Sequence, residues 1–206
     1  MDDGENRLGS HALDAWHAVL DEVVGDRSIS SLVVIGIGKY WSTGLDLDEV
    51  STMSGSEREE FMANVDLLLA RILTLPIVTI AAINGHAYAA GGLLALAHDY
   101  RIMRDDRGFF CLPSVDVGIP FSRGMSALIT AKLPQPIAHD LVVSCRQIGG
   151  SEAAATGVVH RAVGHDSVLP AAVRLAAACA GKDRSTLAAV KQRMYPMVVT
   201  ALTSPT

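Results

Sequence analysis

Residues 75–100 read LPIVTIAAINGHAYAAGGLLALAHDY, and this stretch decides the fold class. Its first part, residues 77–83, is a short apolar run rich in β-branched side chains, which is typical of a buried parallel strand. Asn84 and Gly85 end the run, and small residues at 87–92 lead into an apolar helix that ends near His98. A buried strand, a glycine-containing turn and a helix in this order predict a mixed α/β protein.

A second apolar run of the same character lies at residues 32–35, and the turn WSTGLDL follows it at 41–47. Small residues in both turns let the main chain approach a ligand closely. The free N–H groups and the positive dipole end at a helix start favour an anion or a developing oxyanion. Turns of this kind are equally common as packing devices. Neither turn carries the G-x-G-x-x-G dinucleotide pattern or a G-x-x-x-x-G-K-S/T phosphate loop.

The remaining pattern mixes strands and helices up to about residue 112 and is helical afterwards. Apolar spacing predicts helices at 10–25 and 56–72, the first opened by Ser10 and the second by a capping box at residues 56–59. Two further strands are predicted at 100–103 and 109–112. Later helices are predicted at 124–132, 137–143, 151–156, 167–180 and 185–202, with serine caps on the last three. At 206 residues without a repeat or linker, one domain is the default.

Composition and charge exclude several classes of function. Half of the residues are hydrophobic and 19% are charged, which indicates a folded globular protein. The net charge of −5 and the lack of a basic cluster argue against nucleic acid as a partner. No apolar run reaches about 18 residues, and the acidic residues 1–5 are not a targeting segment, so a cytoplasmic protein without membrane contact is expected. The cysteines are widely spaced and predict no metal site.

The segments at 31–50, 75–100 and 104–130 resemble, in order and spacing, the core signatures of the crotonase (enoyl-CoA hydratase/isomerase) family. The stretch GHAYAAGGLLALAHDYRIMRDDRGFF at 85–110 is most similar to Δ3,Δ2-enoyl-CoA isomerases of the plant peroxisomal type and their actinobacterial relatives. The resemblance implies a spiral of ββα turns in residues 1–133 and a C-terminal helical region, 134–206, that builds a homotrimer or hexamer. It also implies an acyl-CoA or enoyl-CoA substrate in fatty-acid metabolism. Coenzyme A would enter as part of that substrate, with no cofactor bound permanently.

The resemblance assigns roles to particular residues of this chain. The thioester oxygen of the family's substrates accepts two backbone N–H bonds, which fall here on Leu45 and Ala90. Such donors stabilise the enolate that forms when a proton leaves C2 of the substrate. The other positions that the resemblance associates with substrate binding are Arg7 near the CoA nucleotide, Thr43 and Leu47 along the pantetheine path, and Gly44, Gly91, Leu93 and Ser122.

The carboxylates that the family uses for proton transfer are missing from their usual positions. The two hydratase glutamates fall on Leu93 and Ser114, and the position that other isomerases use falls on Ser122. This pattern disfavours hydration and weakens isomerisation. The nearest acid is Asp116, which lies two residues beyond Ser114 and thus on the same face of an extended chain, roughly 6–7 Å away. Asp116 is a candidate proton shuttle, and its alternative role is to organise the turn.

Two further functions remain open for this sequence. The chain could be a catalytically silent acyl-CoA-binding relative, or it could catalyse another acyl-CoA reaction such as thioester hydrolysis. His86 and His98 are interpreted as core residues rather than bases, and Asp46 as a cap of its turn. Lys191 and Arg193 either lie on a solvated helix face or meet the CoA phosphates of a neighbouring subunit.

The family has strands before the segment that opens this chain. Met1 falls where that hairpin should already have ended. Either the start was assigned late or the strands are absent, which would expose a sheet edge.

Overall fold

The computed structural model describes residues 4–204. Within this range the chain forms two parallel sheets, and consecutive strands alternate between them. The four-stranded sheet has the order β1-β3-β5-β7 and the three-stranded sheet the order β2-β4-β6. The strands are β1 (Ser31–Ile35), β2 (Tyr40–Ser42), β3 (Val78–Ile83), β4 (His86–Tyr88), β5 (Tyr100–Arg104), β6 (Phe110–Cys111) and β7 (Arg161–Val163).

Helices separate the successive strand pairs, so the described chain repeats a strand, a second strand and a helical connection. This repeat confirms the predicted α/β, crotonase-like ββα spiral. A short 3-10 turn lies at His165–Ser167. The helices are α1 (Ser10–Gly25), α2 (Leu47–Thr52), α3 (Gly55–Leu73), α4 (Ala90–Ala97), α5 (Arg123–Lys132), α6 (Gln135–Ser144), α7 (Gly150–Ala155), α8 (Val168–Ala178), α9 (Arg184–Met194) and α10 (Pro196–Thr203).

Strand β3 is central because both of its faces are covered. All six of its residues are buried. Val78, Ile80 and Ala82 pack in a cluster with α8, whereas Ala81 and Ile83 point into the main core. Side chains alternate between the two faces of a strand, so a strand covered on both sides reads as the continuous apolar run seen in the sequence. None of the helices within residues 4–204 is long and apolar enough to cross a membrane.

Several helix starts differ from the predictions. The capping box of α3 uses Ser54 with Glu57, so the predicted capping box at residues 56–59 is wrong by two residues. The predicted serine caps of the last three helices are also wrong. Helix α7 follows Gly149 without a side-chain cap, Ser167 makes no cap bond to α8, and α9 is capped by Asp183. A cap depends on the local backbone angles, which the identity of the residue alone does not determine.

The predicted helix 185–202 is two helices, α9 and α10, which meet at Tyr195. Pro196 occupies the first position of α10, where its missing N–H costs nothing, but it could not continue α9. Strands β2, β4 and β7 and helix α2 were not predicted. Strand β7 belongs to the region 134–206 and pairs with β5 in the four-stranded sheet. The division at residue 133 stays a prediction.

The prediction about the strands that precede this segment in the family concerns Met1. Residues 1–3 lie outside the described residues. Within the described range, the segment before α1 contacts the rest of the chain through a parallel bridge between Leu8 and Leu45.

Lys191 is buried, with 4% of its surface exposed. Its Nζ donates to Asp99 Oδ2 at 2.6 Å and to the carbonyl oxygens of Leu75 at 2.9 Å and Ile77 at 2.8 Å. Asp99 Oδ2 also accepts from the backbone N–H of Thr79 at 2.8 Å. Lys191 therefore neither lies on a solvated helix face nor meets the CoA phosphates of a neighbouring subunit, and both interpretations are wrong. Its bonds connect α9 to the start of β3.

We expect Lys191→Met to lower the free energy of unfolding by about 3–5 kcal/mol, because Asp99, whose side chain is only 18% exposed, would then lose its cation. Urea unfolding measures the change. Arg193→Met is the matched control: Arg193 is exposed on the same helix, and its replacement should change the stability by less than about 0.5 kcal/mol. Equal effects of the two substitutions would contradict a structural role of Lys191.

Candidate active site

A cavity of about 280 Å³ lies where the ends of β2 and β4 meet helices α3 and α5. Its wall is mostly apolar, which suits an acyl chain or another hydrophobic ligand. Six of the residues selected from the sequence line it: Thr43, Leu45, Leu47, Ala90, Leu93 and Ser114. The structure thus brings together two turns that are far apart in the chain.

Gly44 sets the distance between the two turns. Its φ of +96° is in the region that favours glycine. A Cβ atom at Gly44 would lie 2.9 Å from the backbone nitrogen of Ala90 and 3.0 Å from the carbonyl oxygen of Tyr88. The peptide that joins Gly44 to Leu45 therefore lies directly against the start of α4.

The direction of the Leu45 N–H group follows from the backbone hydrogen bonds that Leu8 forms with the residues on either side of Leu45. Leu8 N–H donates to Gly44 O at 2.7 Å, and Asp46 N–H donates to Leu8 O at 3.1 Å. Because successive backbone groups of an extended chain point to opposite sides, the N–H of Leu45 points away from Leu8. Leu45 also lines the cavity.

The first turn of α4 supplies the second N–H group. Ala89 precedes the helix with φ 49° and ψ −123°, an unusual conformation for a residue with a side chain, and no side chain caps the helix. Such strain costs of order 1–3 kcal/mol and is concentrated at functional sites. Within residues 4–204, no acceptor is bonded to the N–H of Ala90 or of Leu45. Two adjacent N–H groups of this kind can both donate to a single oxygen atom.

Gly91 does not line the cavity and serves close packing instead. A Cβ atom there would lie 2.4 Å from the carbonyl oxygen of Ser42, at the end of β2. The Ser42 hydroxyl accepts from Gly44 N–H at 3.1 Å and donates to Asn6 O at 2.8 Å. Glycine is thus needed at this position for α4 to approach the β2 turn.

The two glutamate positions of the family are occupied by Leu93 and Ser114, as the sequence indicates. Ser114 is buried, and its Oγ donates to Ile119 O at 2.5 Å. Asp116 is exposed and is not among the residues that line the cavity. Arg7 is also outside the lining and forms ion pairs with Glu5 at 2.8 Å and Asp48 at 2.9 Å. None of the described residues in the cavity wall is acidic.

Ser122 is not among the lining residues, and it is bonded to an acid that the sequence analysis did not single out. Its Oγ caps α5 by accepting from Met125 N–H at 3.0 Å, and it donates to Asp66 Oδ1 at 3.1 Å. Asp66 lies on α3 with 6% of its surface exposed, and burial raises its pKa to about 6. The available signal was a charged residue within VDLLL at 65–69, next to the inward positions of a helix.

The cysteine and histidine side chains near the cavity are buried. Burial raises the pKa of Cys111, which lines the cavity, to about 11, so its thiol stays protonated. His98 is fully buried with its Nδ1 bonded to Leu94 O at 2.8 Å, and burial lowers its pKa to about 4. His86 is buried as well, so both histidines are core residues, as predicted.

Asp46 caps α2 through Glu49 N–H at 3.3 Å, which confirms its predicted role. Among residues 4–204, no cluster of His, Cys, Asp or Glu can hold a metal ion.

The fold and the site define a class: α/β spiral proteins in which two backbone N–H groups meet at an apolar cavity. Comparison with known proteins places the chain within this class. Residues 2–204 match the family model described as Enoyl-CoA hydratase/isomerase. The chain belongs to this family, which is part of the crotonase superfamily.

Curated relatives and solved structures agree with this assignment. The chain is 38% identical to Enoyl-CoA delta isomerase 3 of Arabidopsis thaliana over 93% of its own length and 84% of that protein. It is 34% identical to the peroxisomal Enoyl-CoA delta isomerase 2 of the same plant, with coverages of 94% and 85%. The human mitochondrial delta3-delta2-enoyl-CoA isomerase has the same fold, with a TM-score of 0.90 at 24% identity over 97% of this chain and 78% of the human one.

Gly44→Ala and Gly181→Ala together test the close approach of the two turns. Both glycines have positive φ, but a Cβ atom at Gly181 meets nothing within 4 Å. We expect Gly181→Ala to lower the free energy of unfolding by about 1–2 kcal/mol through its backbone conformation alone. Gly44→Ala should cost about 1–3 kcal/mol more, because it also displaces Ala90. Urea unfolding of both variants measures the difference, and equal losses would show that the turns do not depend on contact at Gly44.

Proposed function

We propose that the protein is an enoyl-CoA isomerase that moves the double bond of 3-enoyl-CoA thioesters into conjugation, by a proton shift from C2 to C4. The observation that carries the proposal is the meeting, at an apolar cavity, of the N–H groups of Leu45 and Ala90, neither of which bonds to an acceptor within residues 4–204. Curated relatives named enoyl-CoA delta isomerase support the same reaction.

The two N–H groups would form the oxyanion hole of this reaction. When the proton leaves C2, negative charge develops on the thioester oxygen, and both N–H groups donate to that oxygen. Each donor of this kind contributes about 10²–10³ in rate. Backbone groups are fixed by the fold and need no reorganisation as the charge develops.

The remaining predictions from the sequence belong to the same proposal. Thr43 and Leu47 would flank the pantetheine arm, and Arg7 would lie near the CoA nucleotide. Gly44 and Gly91 would act by holding the turns in place, and Leu93 would contact the acyl chain. Coenzyme A would take part only as a portion of the substrate. A homotrimer or hexamer in the cytoplasm, with the helices of 134–206 at its interfaces, completes the proposal.

One observation favours a second function, that of a catalytically silent acyl-CoA-binding protein. The described wall of the cavity contains no carboxylate, because Leu93 and Ser114 occupy the family's glutamate positions. Hydration, which uses both glutamates, is disfavoured for the same reason. Thioester hydrolysis is a third option and would be recognised by the release of free CoA.

Incubation with 3-hexenoyl-CoA distinguishes these functions. The proposal predicts that the wild-type protein forms the conjugated 2-enoyl thioester, which is followed by its ultraviolet absorbance. Ser114→Glu places a carboxylate at the family position, and Ser114→Gln is its uncharged control. Activity that appears only in Ser114→Glu would reject the isomerase proposal and establish the silent alternative.

A further inference from the structure

We propose that Asp66, acting through the hydroxyl of Ser122, is the proton acceptor of this cavity. The inference rests on the proposed function, since it supplies the carboxylate that the family positions lack. It is carried by the place of Asp66 in the fold and by its hydrogen bond to Ser122.

The Asp66–Ser122 pair neighbours three residues of the cavity wall along α3 and at the start of α5. Met62, one turn before Asp66 on the same face of α3, lines the cavity. Phe121 and Met125, on either side of Ser122, line it as well. Neither Asp66 nor Ser122 is itself among the lining residues, so the proposal requires the unbranched side chains of Met62 or Met125 to change rotamer and open the pair to the acyl-binding space.

Among the described residues, the burial of Asp66 is compensated by a hydrogen bond from a neutral group and by no cation. Within the described residues it forms no ion pair, and the hydrogen bond from Ser122 is the interaction that stabilises its charged form. Buried carboxylates that only stabilise a fold are usually paired with a cation or hydrogen-bonded several times. A carboxylate without such partners has a pKa suited to accepting and returning a proton near neutral pH.

The helices around α3 bring few charges toward Asp66. The sequences of α4 and α10 contain no titratable side chain. On α1, His17 and Asp21 bind Arg71, which is on α3 itself and more than one turn away. Arg123 on α5 is exposed. Burial is thus the main cause of the raised pKa of Asp66.

The direction of the hydrogen bond suits a relay. Ser122 donates its hydrogen to Asp66 and accepts only the N–H of Met125 among the described residues, so one lone pair of its oxygen is available. The C2–H bond of the substrate breaks, its proton passes to Ser122 Oγ, and the original hydroxyl hydrogen passes to Asp66. The electron pair of the C2–H bond forms the enolate, with its charge on the oxygen held by Leu45 and Ala90.

The second half of the step returns the proton. Asp66 gives its hydrogen back to Ser122, and Ser122 delivers a proton to C4. The double bond between C3 and C4 supplies the electron pair for the new C4–H bond, the double bond between C2 and C3 forms, and the thioester carbonyl is restored. No oxidant, reductant or water is consumed.

Asp66→Asn is the test, because the amide retains an acceptor for Ser122 but has no basic carboxylate. We expect the isomerisation rate to fall about 100-fold or more. Binding of octanoyl-CoA, a saturated ligand that cannot isomerise, should change less than threefold, and the thermal midpoint should not fall. Glu59→Gln, at an exposed acid on the same helix, is the matched control and should retain the wild-type rate.

Three more variants separate proton transfer from a structural role. Ser122→Ala should lower the rate as Asp66→Asn does, and Ser122→Thr, which keeps the hydroxyl, should restore at least a tenth of it. Asp66→Glu should retain activity with a shifted pH profile. In the wild type, the rate should fall as the pH drops below about 6, because protonation removes the acceptor. A rate in Asp66→Asn within threefold of wild type would overturn the inference, as would a loss found in Asp116→Asn instead.

Deuterium exchange at C2 of octanoyl-CoA in D2O tests the inference independently of isomerisation. If the wild type exchanges this proton and Asp66→Asn does not, the inference stands even where no conjugated product forms. If the wild type isomerises 3-hexenoyl-CoA and Asp66→Asn does so equally well, the proposed function stands and the inference fails. If the wild type neither isomerises nor exchanges, both fail, and octanoyl-CoA binding alone shows whether acyl-CoA recognition remains.

Discussion

The site depends on one close approach, that of Gly44 to the start of α4. The backbone of Gly44 lies where a Cβ atom would be 2.9 Å from Ala90 N, and Gly91 packs against Ser42 at a comparable distance. These two contacts between small residues bring the N–H groups of Leu45 and Ala90 to one place. The strained conformation of Ala89 and the parallel pairing of β2 with β4 both serve this arrangement. Because only backbone groups are used, replacement of the side chains at 45 and 90 leaves the donors in place.

The charged side chains in the interior differ in how their charge is stabilised. Lys191 and Asp99 neutralise each other at 2.6 Å, and two carbonyl oxygens complete the surroundings of the ammonium group. Arg101, with its pKa lowered by burial to about 10, donates to the carbonyl oxygens of Val158 and His98. Asp66 has only a serine hydroxyl within the described residues. The first arrangement fastens elements together, whereas an acid held by one neutral group retains its capacity to exchange a proton.

Sequence patterns predicted much of the fold because the long elements carry local signals. Strands β1 and β3 are apolar runs, and α1, α3 and α4 follow from spacing and from glycine turns. Strands β2, β4 and β6 have only two or three residues each, and they exist through pairing with one another. No local pattern records such a partner, which is why β2 and β4 were not predicted. Pro196 is a local signal for the division of the predicted helix 185–202 into α9 and α10.

For the site, the sequence by itself determined the two glycine turns, and its resemblance to the family assigned Leu45, Ala90 and the glutamate positions that fall on Leu93 and Ser114. Residue identity and order are sufficient for these points. Only the tertiary structure decided that Asp66 is buried beside the cavity. Helical spacing marks one inward stripe on α3, but α1, α4 and α10 pack around this helix and cover a wider arc than a single stripe. The position of Asp66 at the edge of that stripe becomes interior only when the neighbouring helices are in place, and its bond to Ser122 links segments 56 residues apart.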